Sequence, residues 1–134
     1  MKMLKITAVS FAISLFALAA QAASPPALYT SAQANAGAAA FAQNCAVCHG
    51  ATLGGGGGPA LVGSAFTPAG TTIGSVFNVL AKQMPATNPG GLSQGQYEDL
   101  MAYILQKNGY PAGSTPISYN KAMSDSTPLI SQAK

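Results

Sequence analysis

The sequence predicts a small all-α domain of about three to four helices, with long loops and an extended C-terminal tail. Three segments carry helix signals: about 31–44, about 73–82, and a stretch that begins at Ser93 and stops at Asn108-Gly109. Each begins at a serine or threonine that can cap a helix. The last two have apolar residues at helical spacing, and no convincing strand pattern accompanies them.

The segment Cys45-Ala46-Val47-Cys48-His49 has the pattern C-x-x-C-H. Two thiols three residues apart lie on the same side of a helical turn. Each can add across one haem vinyl group, and the adjoining imidazole can turn under the porphyrin and ligate the iron. The pattern is the attachment site of a c-type haem. We therefore predict one covalent haem c on Cys45 and Cys48, with His49 as a metal ligand.

Other interpretations of these cysteines explain less. A disulfide between Cys45 and Cys48 would close a very short loop and leave His49 without a role. A thioredoxin-like redox pair needs a βαβ context. A zinc site usually wants four ligands, whereas the chain has two cysteines and one histidine, with Glu98 and Asp99 far along the sequence.

The first 22 residues have the order of a secretory signal peptide: Lys2 and Lys5, an uncharged apolar run over 6–20, and Ala20-Gln21-Ala22. We expect cleavage after Ala22, with Ala23 as the alternative. A retained membrane anchor is the other interpretation, but the run is shorter than the ~20 residues that span a bilayer. The haem is therefore predicted to be attached in the periplasm, on a chain without stable membrane insertion.

The predicted organisation is a signal peptide at 1–22, an extended lead-in at 23–30, a haem domain at 31–110 and a tail at 111–134. Removal of 22 of the 134 residues leaves 112, the size of one small domain. Its four lysines and three acidic residues give a net charge of +1 before the haem is counted. The chain has no arginine and no basic stripe, so nucleic-acid binding is not predicted.

The first helix contains a glycine in its middle. Thr30 or Ser31 can cap it, and Gly37 and Phe41 are four residues apart, so they share a face. A glycine inside a helix costs about 1 kcal/mol relative to alanine. We therefore expect another helix to approach closely at Gly37.

The stretch between the haem motif and the second helix contains five consecutive glycines, Gly54 to Gly58. A phosphate-binding loop would need a lysine and a serine or threonine that are missing here. The prediction is an irregular loop beside the haem edge. Thr72 can cap the next helix, and Pro85 pushes Met84 toward an extended conformation.

Three methionines follow the signal peptide, and Met84 is predicted to be the second iron ligand. It sits in a loop between two capped helices, and fixed ends reduce the entropy lost when the loop closes. Met101 lies on an apolar helix stripe and is expected to fill the core. Met123 lies in an irregular tail where nothing suggests burial.

The last helix is the most strongly indicated element. It has a capping box, Ser93 with Gln96, and a hydrophobic staple, Leu92 with Tyr97. Its apolar stripe consists of Tyr97, Leu100, Met101, Ile104 and Leu105. The tail after it has no periodicity, and we expect it to dock at most through Ile117, Tyr119 and Leu129.

The order of haem motif, Pro59-Ala60-Leu61, Met84-Pro85 and C-terminal helix, over about 32–109, resembles a class I c-type cytochrome. The resemblance implies the small cytochrome c fold, wrapped around one haem. It implies that Pro59 and Leu61 lie at the haem, that the Pro59 carbonyl accepts a bond from His49, and that Met84 is the axial ligand. It also implies a contact between the first and the last helix. Gly37 and Phe41 would form this contact on the first helix, and Leu100 and Tyr103 on the last.

The function implied is a periplasmic electron carrier, not an enzyme, whose haem cycles between Fe(III) and Fe(II). Its partners would be a dehydrogenase as donor and a cytochrome or oxidase as acceptor. The stretch 84–110 resembles cytochrome subunits and domains that accept electrons from quinoprotein alcohol dehydrogenases. A permanent subunit of a dehydrogenase or oxidase complex is therefore one alternative to a free, monomeric carrier. A haem enzyme or ligand sensor is another, if Met84 is not a ligand.

Overall fold

The computed structural model describes residues 23–133. The predicted signal peptide at 1–22 and Lys134 lie outside the described residues. Five helices form the described part: α1 Ser31–Asn44, α2 Ala46–His49, α3 Ile73–Gln83, α4 Gln94–Lys107 and α5 Tyr119–Met123. Over 23–133 the backbone forms no strand beyond one isolated bridge between Thr72 and Pro128. The predicted all-α fold is confirmed.

Local capping explains where the three longer helices begin. The side chains of Thr30, Thr72 and Ser93 each accept a bond from the backbone N–H three residues later. At each site the side chain of that later residue bonds back to the amide of the cap, which completes a capping box. The predicted starts of these helices are confirmed, with Thr30 rather than Ser31 as the first cap.

The first and fourth helices make the most extensive helix contact in the described fold. A side chain at Gly37 would overlap the backbone carbonyl of Asp99, and its Cβ would lie 2.9 Å from the Cβ of Tyr103. The rings of Phe41 and Tyr103 are tilted at 54° with centroids 5.4 Å apart. The expected close approach at Gly37 is confirmed, and it offsets the low helix propensity of glycine.

The tail is extended over most of its length, as predicted, but it also contains helix α5, which was not predicted. This helix begins where the backbone N–H of Tyr119 donates to Glu98 Oε1, at 2.6 Å. Ile117 and Leu129 are buried, and the Tyr119 ring packs edge-on to Phe77 with centroids 5.2 Å apart. The three expected contacts are present, but the tail docks through more residues than these, since Ala122 is also buried and the amide of Gln132 donates to the Asn108 carbonyl.

Met123 corrects a second detail of the tail. It lies on α5 and packs partly buried against the core, although no pattern in the sequence indicated burial there. The reason is that α5 lies against α3, a contact that local sequence cannot show. Met101, in contrast, is fully buried in the core, as expected.

None of the helices in residues 23–133 is long and apolar enough to cross a membrane.

Candidate functional site

The six residues predicted for the site all line one cavity of about 950 Å³. These residues are Cys45, Cys48, His49, Pro59, Leu61 and Met84. They come from three places: the turn of α2, the loop that follows it, and the end of α3. The volume of the cavity lies within the range of about 300–1,000 Å³ that is typical of ligand and cofactor sites.

The walls of the cavity are mainly apolar. Phe41 contributes from α1, Val76 and Leu80 from α3, and Leu100 and Ile104 from α4. Among the described residues that line it, none is a lysine, arginine, aspartate or glutamate. The cavity is therefore suited to a large apolar group with one polar or metal centre.

The imidazole of His49 is held by the chain itself. Its Nδ1 lies 2.8 Å from the carbonyl oxygen of Pro59, which accepts the hydrogen bond when Nδ1 carries the proton. That tautomer leaves Nε2 with a free lone pair, which is the form that binds a metal. The side chain is 8% exposed, so little water competes for either nitrogen.

The glycine run brings Pro59 to the histidine. The amides of Gly55 and Gly58 donate to the carbonyls of His49 and Cys48, at 2.8 and 2.7 Å. A Cβ at Gly58 would lie only 3.1 Å from the imidazole ring, which is closer than most Cβ atoms come. The loop can therefore fold tightly over the histidine because this position has no side chain.

The two cysteines are free thiols at the two ends of one turn of backbone, in which the amide of Cys48 donates to the carbonyl of Cys45. Cys45 is half-buried and Cys48 is exposed. Burial, with a smaller contribution from the charge of Cys48, raises the pKa of the Cys45 thiol. Val47 between them is 94% exposed, so the segment presents an apolar side chain to the surface.

Met84 has the extended backbone that was expected, with φ −116° and ψ 152°. It ends α3 and lines the cavity, whereas Met101 and Met123 do not. Its carbonyl accepts bonds from Tyr97 Oη, at 2.7 Å, and from the amide of Gly90, at 3.3 Å.

Two residues that organise the site were not recognised from the sequence. Asn108 is fully buried, and its Nδ2 donates to the carbonyl of Leu61 at 2.9 Å. Its Oδ1 accepts from the amide of Gly63 at 3.2 Å. Tyr97 was predicted only as a staple residue and a member of the apolar stripe, although its hydroxyl also donates to the Met84 carbonyl. The available signals were the hydroxyl of Tyr97 on a buried face of α4 and the amide side chain of Asn108 at the cap of the same helix.

These residues fit a haem c. The chain supplies two free thiols on one turn and an imidazole whose Nδ1 is hydrogen-bonded to the Pro59 carbonyl. It also supplies a methionine at the wall of the same apolar cavity. Cys45 and Cys48 would hold the porphyrin covalently, and His49 Nε2 and the Met84 sulfur would be the iron ligands.

Comparison with known proteins gives one family and one structural match. The family model described as cytochrome c oxidase, cbb3-type, subunit III, matches residues 32–104. No curated protein sequence shows significant similarity. The fold is similar to a chain of the sulfane dehydrogenase SoxCD from Paracoccus pantotrophus, with 25% sequence identity and a TM-score of 0.53. That alignment covers 67% of this chain and 50% of the other, so this chain spans about half the length of its match.

Proposed function

Since the chain belongs to the class I c-type cytochromes, through the cbb3-type oxidase subunit III family, we propose that it is a periplasmic one-electron carrier. The observation that carries the proposal is the single cavity that brings together the haem motif, the tied imidazole of His49 and the thioether of Met84. A haem c bound there supplies an iron that alternates between Fe(III) and Fe(II).

The contributions of the protein are binding, orientation and exclusion of water. Pro59 fixes the tautomer of His49 and so keeps Nε2 available as a ligand. Met84 would supply the second ligand, and two ligands from the protein would leave no coordination position of the iron for a substrate. This is why we propose a carrier rather than a haem enzyme or a ligand sensor.

The apolar wall shapes the electron-transfer properties. Phe41, Leu80, Leu100 and Ile104 surround the cavity with side chains that neither donate nor accept hydrogen bonds. A low-polarity pocket and a thioether ligand both favour the reduced state and raise the reduction potential. The exposed side chains of Val47 and Val79 at the cavity suit a brief contact of small area with a redox partner.

A test of attachment follows directly. The purified protein should contain one haem per chain, and the haem should stay with the polypeptide after denaturation and extraction with acidic organic solvent. The pyridine haemochrome spectrum should be that of a haem with two thioether links. In a Cys45→Ala, Cys48→Ala variant any haem should leave with the solvent. Haem extracted from the unaltered protein would refute covalent attachment.

Export is tested on the same preparation. We propose that the signal peptide at 1–22 is removed and that the haem domain at 31–110 and the tail at 111–134 remain. Mass spectrometry of the periplasmic protein should give an N-terminus at Ala23. An intact Met1 would contradict export with cleavage at this site.

A second candidate is a subunit of a dehydrogenase or oxidase complex. It is favoured by the family, whose description names an oxidase subunit, and by the similarity to a chain of SoxCD. Gel filtration of the native preparation at low and high salt separates the two. A free carrier elutes at the mass of one chain, whereas a subunit elutes with partner proteins.

A further inference from the structure

One buried hydroxyl connects both ends of the loop that carries Met84. Tyr97 Oη donates to the carbonyl of Met84 at 2.7 Å and accepts from the amide of Leu92 at 3.3 Å. These residues are the first and the last of the loop 84–92, which runs from the end of α3 to the residue before the cap of α4. The side chain of Tyr97 is 2% exposed, so water does not compete with either bond.

The other hydrogen bonds of this loop lie within it. The amide of Gly90 donates to Met84, that of Asn88 to Pro85, and that of Gly91 to Asn88. Such bonds shape the loop but move with it. Within residues 23–133, the bonds to Tyr97 are the ones that attach the loop to the body of a helix.

The position of the hydroxyl is itself fixed by the core. Tyr97 lies in the first turns of α4, which starts at the capping box of Ser93. The same helix packs against α1 through the close approach of Asp99 to Gly37. A hydroxyl on this helix is therefore a fixed point to which the loop 84–92 can be attached.

We propose that Tyr97 is a positioning residue, which holds the backbone of Met84 so that its sulfur stays available to the iron. This inference rests on the proposed function, because it assumes that Met84 is the second ligand. Without the hydroxyl, Met84 keeps only the weaker bond from Gly90, and Leu92 loses its partner. The loop then loses more conformational entropy each time Met84 binds the iron.

The test is competition between Met84 and an external ligand. In oxidised holoprotein, imidazole must displace the methionine, so its apparent affinity reports how firmly the loop holds Met84. Tyr97→Phe removes one hydroxyl and keeps the ring. A lost hydrogen bond of about 1 kcal/mol corresponds to roughly fivefold, so imidazole should bind about fivefold more tightly to Tyr97→Phe.

The chain offers a matched control in Tyr110. Its hydroxyl is also buried, and it also donates to a carbonyl, that of Pro128 at 3.3 Å, and accepts an amide, that of Ile130 at 2.9 Å. These partners lie in the tail and not in the Met84 loop. Tyr110→Phe should therefore lose comparable stability to denaturant while its imidazole affinity stays as in the unaltered protein.

Four outcomes decide whether Tyr97 positions Met84. A tighter imidazole complex in Tyr97→Phe alone supports the proposal. Equal affinity in Tyr97→Phe and the unaltered protein, or an equal increase in Tyr110→Phe, overturns it. If the unaltered ferric protein lacks the near-infrared charge-transfer band of methionine-ligated haem, Met84 ligation fails and this inference fails with it.

Amide hydrogen exchange provides a second test that needs no variant. The amide of Leu92 should be protected in the holoprotein, because it donates to Tyr97. The amide of Ala86, in the same loop, has no partner among residues 23–133 and should exchange freely. Equal exchange at both positions would overturn the proposed role of the hydroxyl.

Discussion

The side chain of Asn108 holds the carbonyl of Leu61, at 2.9 Å from Nδ2, across 47 residues of sequence. The same amide group also donates to Ile104 and accepts from Gly63. The end of α4 is thereby fastened to the loop that forms one wall of the cavity.

Replacement of this asparagine should destabilise the fold. Asn108→Ala leaves the partly buried Leu61 carbonyl and the Gly63 amide without their side-chain partner, and an unpaired buried group costs about 1–3 kcal/mol. We expect the free energy of unfolding to fall by about 2–4 kcal/mol in chemical denaturation. Asn35→Ala, at an exposed position of α1, is the control and should change it by less than about 0.5 kcal/mol. Similar values for both variants would contradict a fastening role.

Two glycines in helices should respond in opposite directions. A Cβ at Gly37 would overlap the Asp99 carbonyl, a backbone group that cannot rotate away. Overpacking costs up to about 3 kcal/mol and the better helix propensity returns about 1, so Gly37→Ala should lose about 2 kcal/mol. A Cβ at Gly95, near the start of α4, meets nothing within 4 Å. Gly95→Ala should therefore gain about 0.5–1 kcal/mol, and a loss there would refute the contact argument.

The methionine assignment predicts a spectroscopic change. Met84→Ala should abolish the near-infrared band of the ferric protein and open the iron to external ligands. It should also lower the reduction potential, by part of the range of about 0.8 V that axial ligands set. Met101→Leu, a volume-conserving change in the core, is the control and should keep the band. A band that survives in Met84→Ala and disappears in a Met101 variant would show that the assignment is wrong.

The tail should contribute to stability through Leu129. This side chain is 1% exposed, and its amide donates to the carbonyl of Thr71, which lines the cavity. Leu129→Ala should lower the free energy of unfolding by about 2–5 kcal/mol. The neighbouring Ile130 is 60% exposed, so Ile130→Ala should have little effect. Thermal unfolding of the two variants, measured side by side, tests this. If Leu129→Ala unfolds at the same temperature as Ile130→Ala, the tail does not contribute to stability through Leu129.

A pH dependence is expected from Asp99. Burial, with the charge of Glu98 adding to it, raises the pKa of Asp99 above its ordinary value of 3.8. An acid with a raised folded-state pKa destabilises the fold once it ionises, so stability falls as the pH rises from 3.8 through the raised value. Asp99→Asn should stabilise at pH 7 by less than about 1 kcal/mol, because the group is partly exposed. The gain should vanish as the pH falls toward 3.8, and a gain independent of pH would argue for another cause.

The parts of the fold that could be predicted are those with local causes. Thr30, Thr72 and Ser93 begin their helices through bonds to residues three positions later, so the sequence alone indicates them. Helix α5 begins at a hydrogen bond from the amide of Tyr119 to Glu98, 21 residues away, and no local sequence pattern predicts this bond. The role of Asn108 was missed for the same reason, since its partner is distant in sequence.

The candidate site divides in the same way. The motif residues Cys45, Cys48 and His49 are adjacent, so their joint chemistry could be inferred from spacing. That His49 would lie against Pro59 came only from the resemblance, because a run of glycines does not specify where its far end returns. The volume and the uncharged lining of the cavity depend on four helices at once and could not be predicted.

The uncharged lining has a consequence for encounters between two copies of the molecule. Among the described residues, the lining of the cavity has no lysine and no acidic side chain. When the cavity faces of two copies meet, there is therefore no electrostatic repulsion between like-charged side chains. Repulsion of that kind slows self-exchange of electrons in highly charged carriers, and salt relieves it by screening. Here the self-exchange rate should stay nearly constant from dilute buffer to concentrated salt, limited by the orientation of the two faces rather than by their potential.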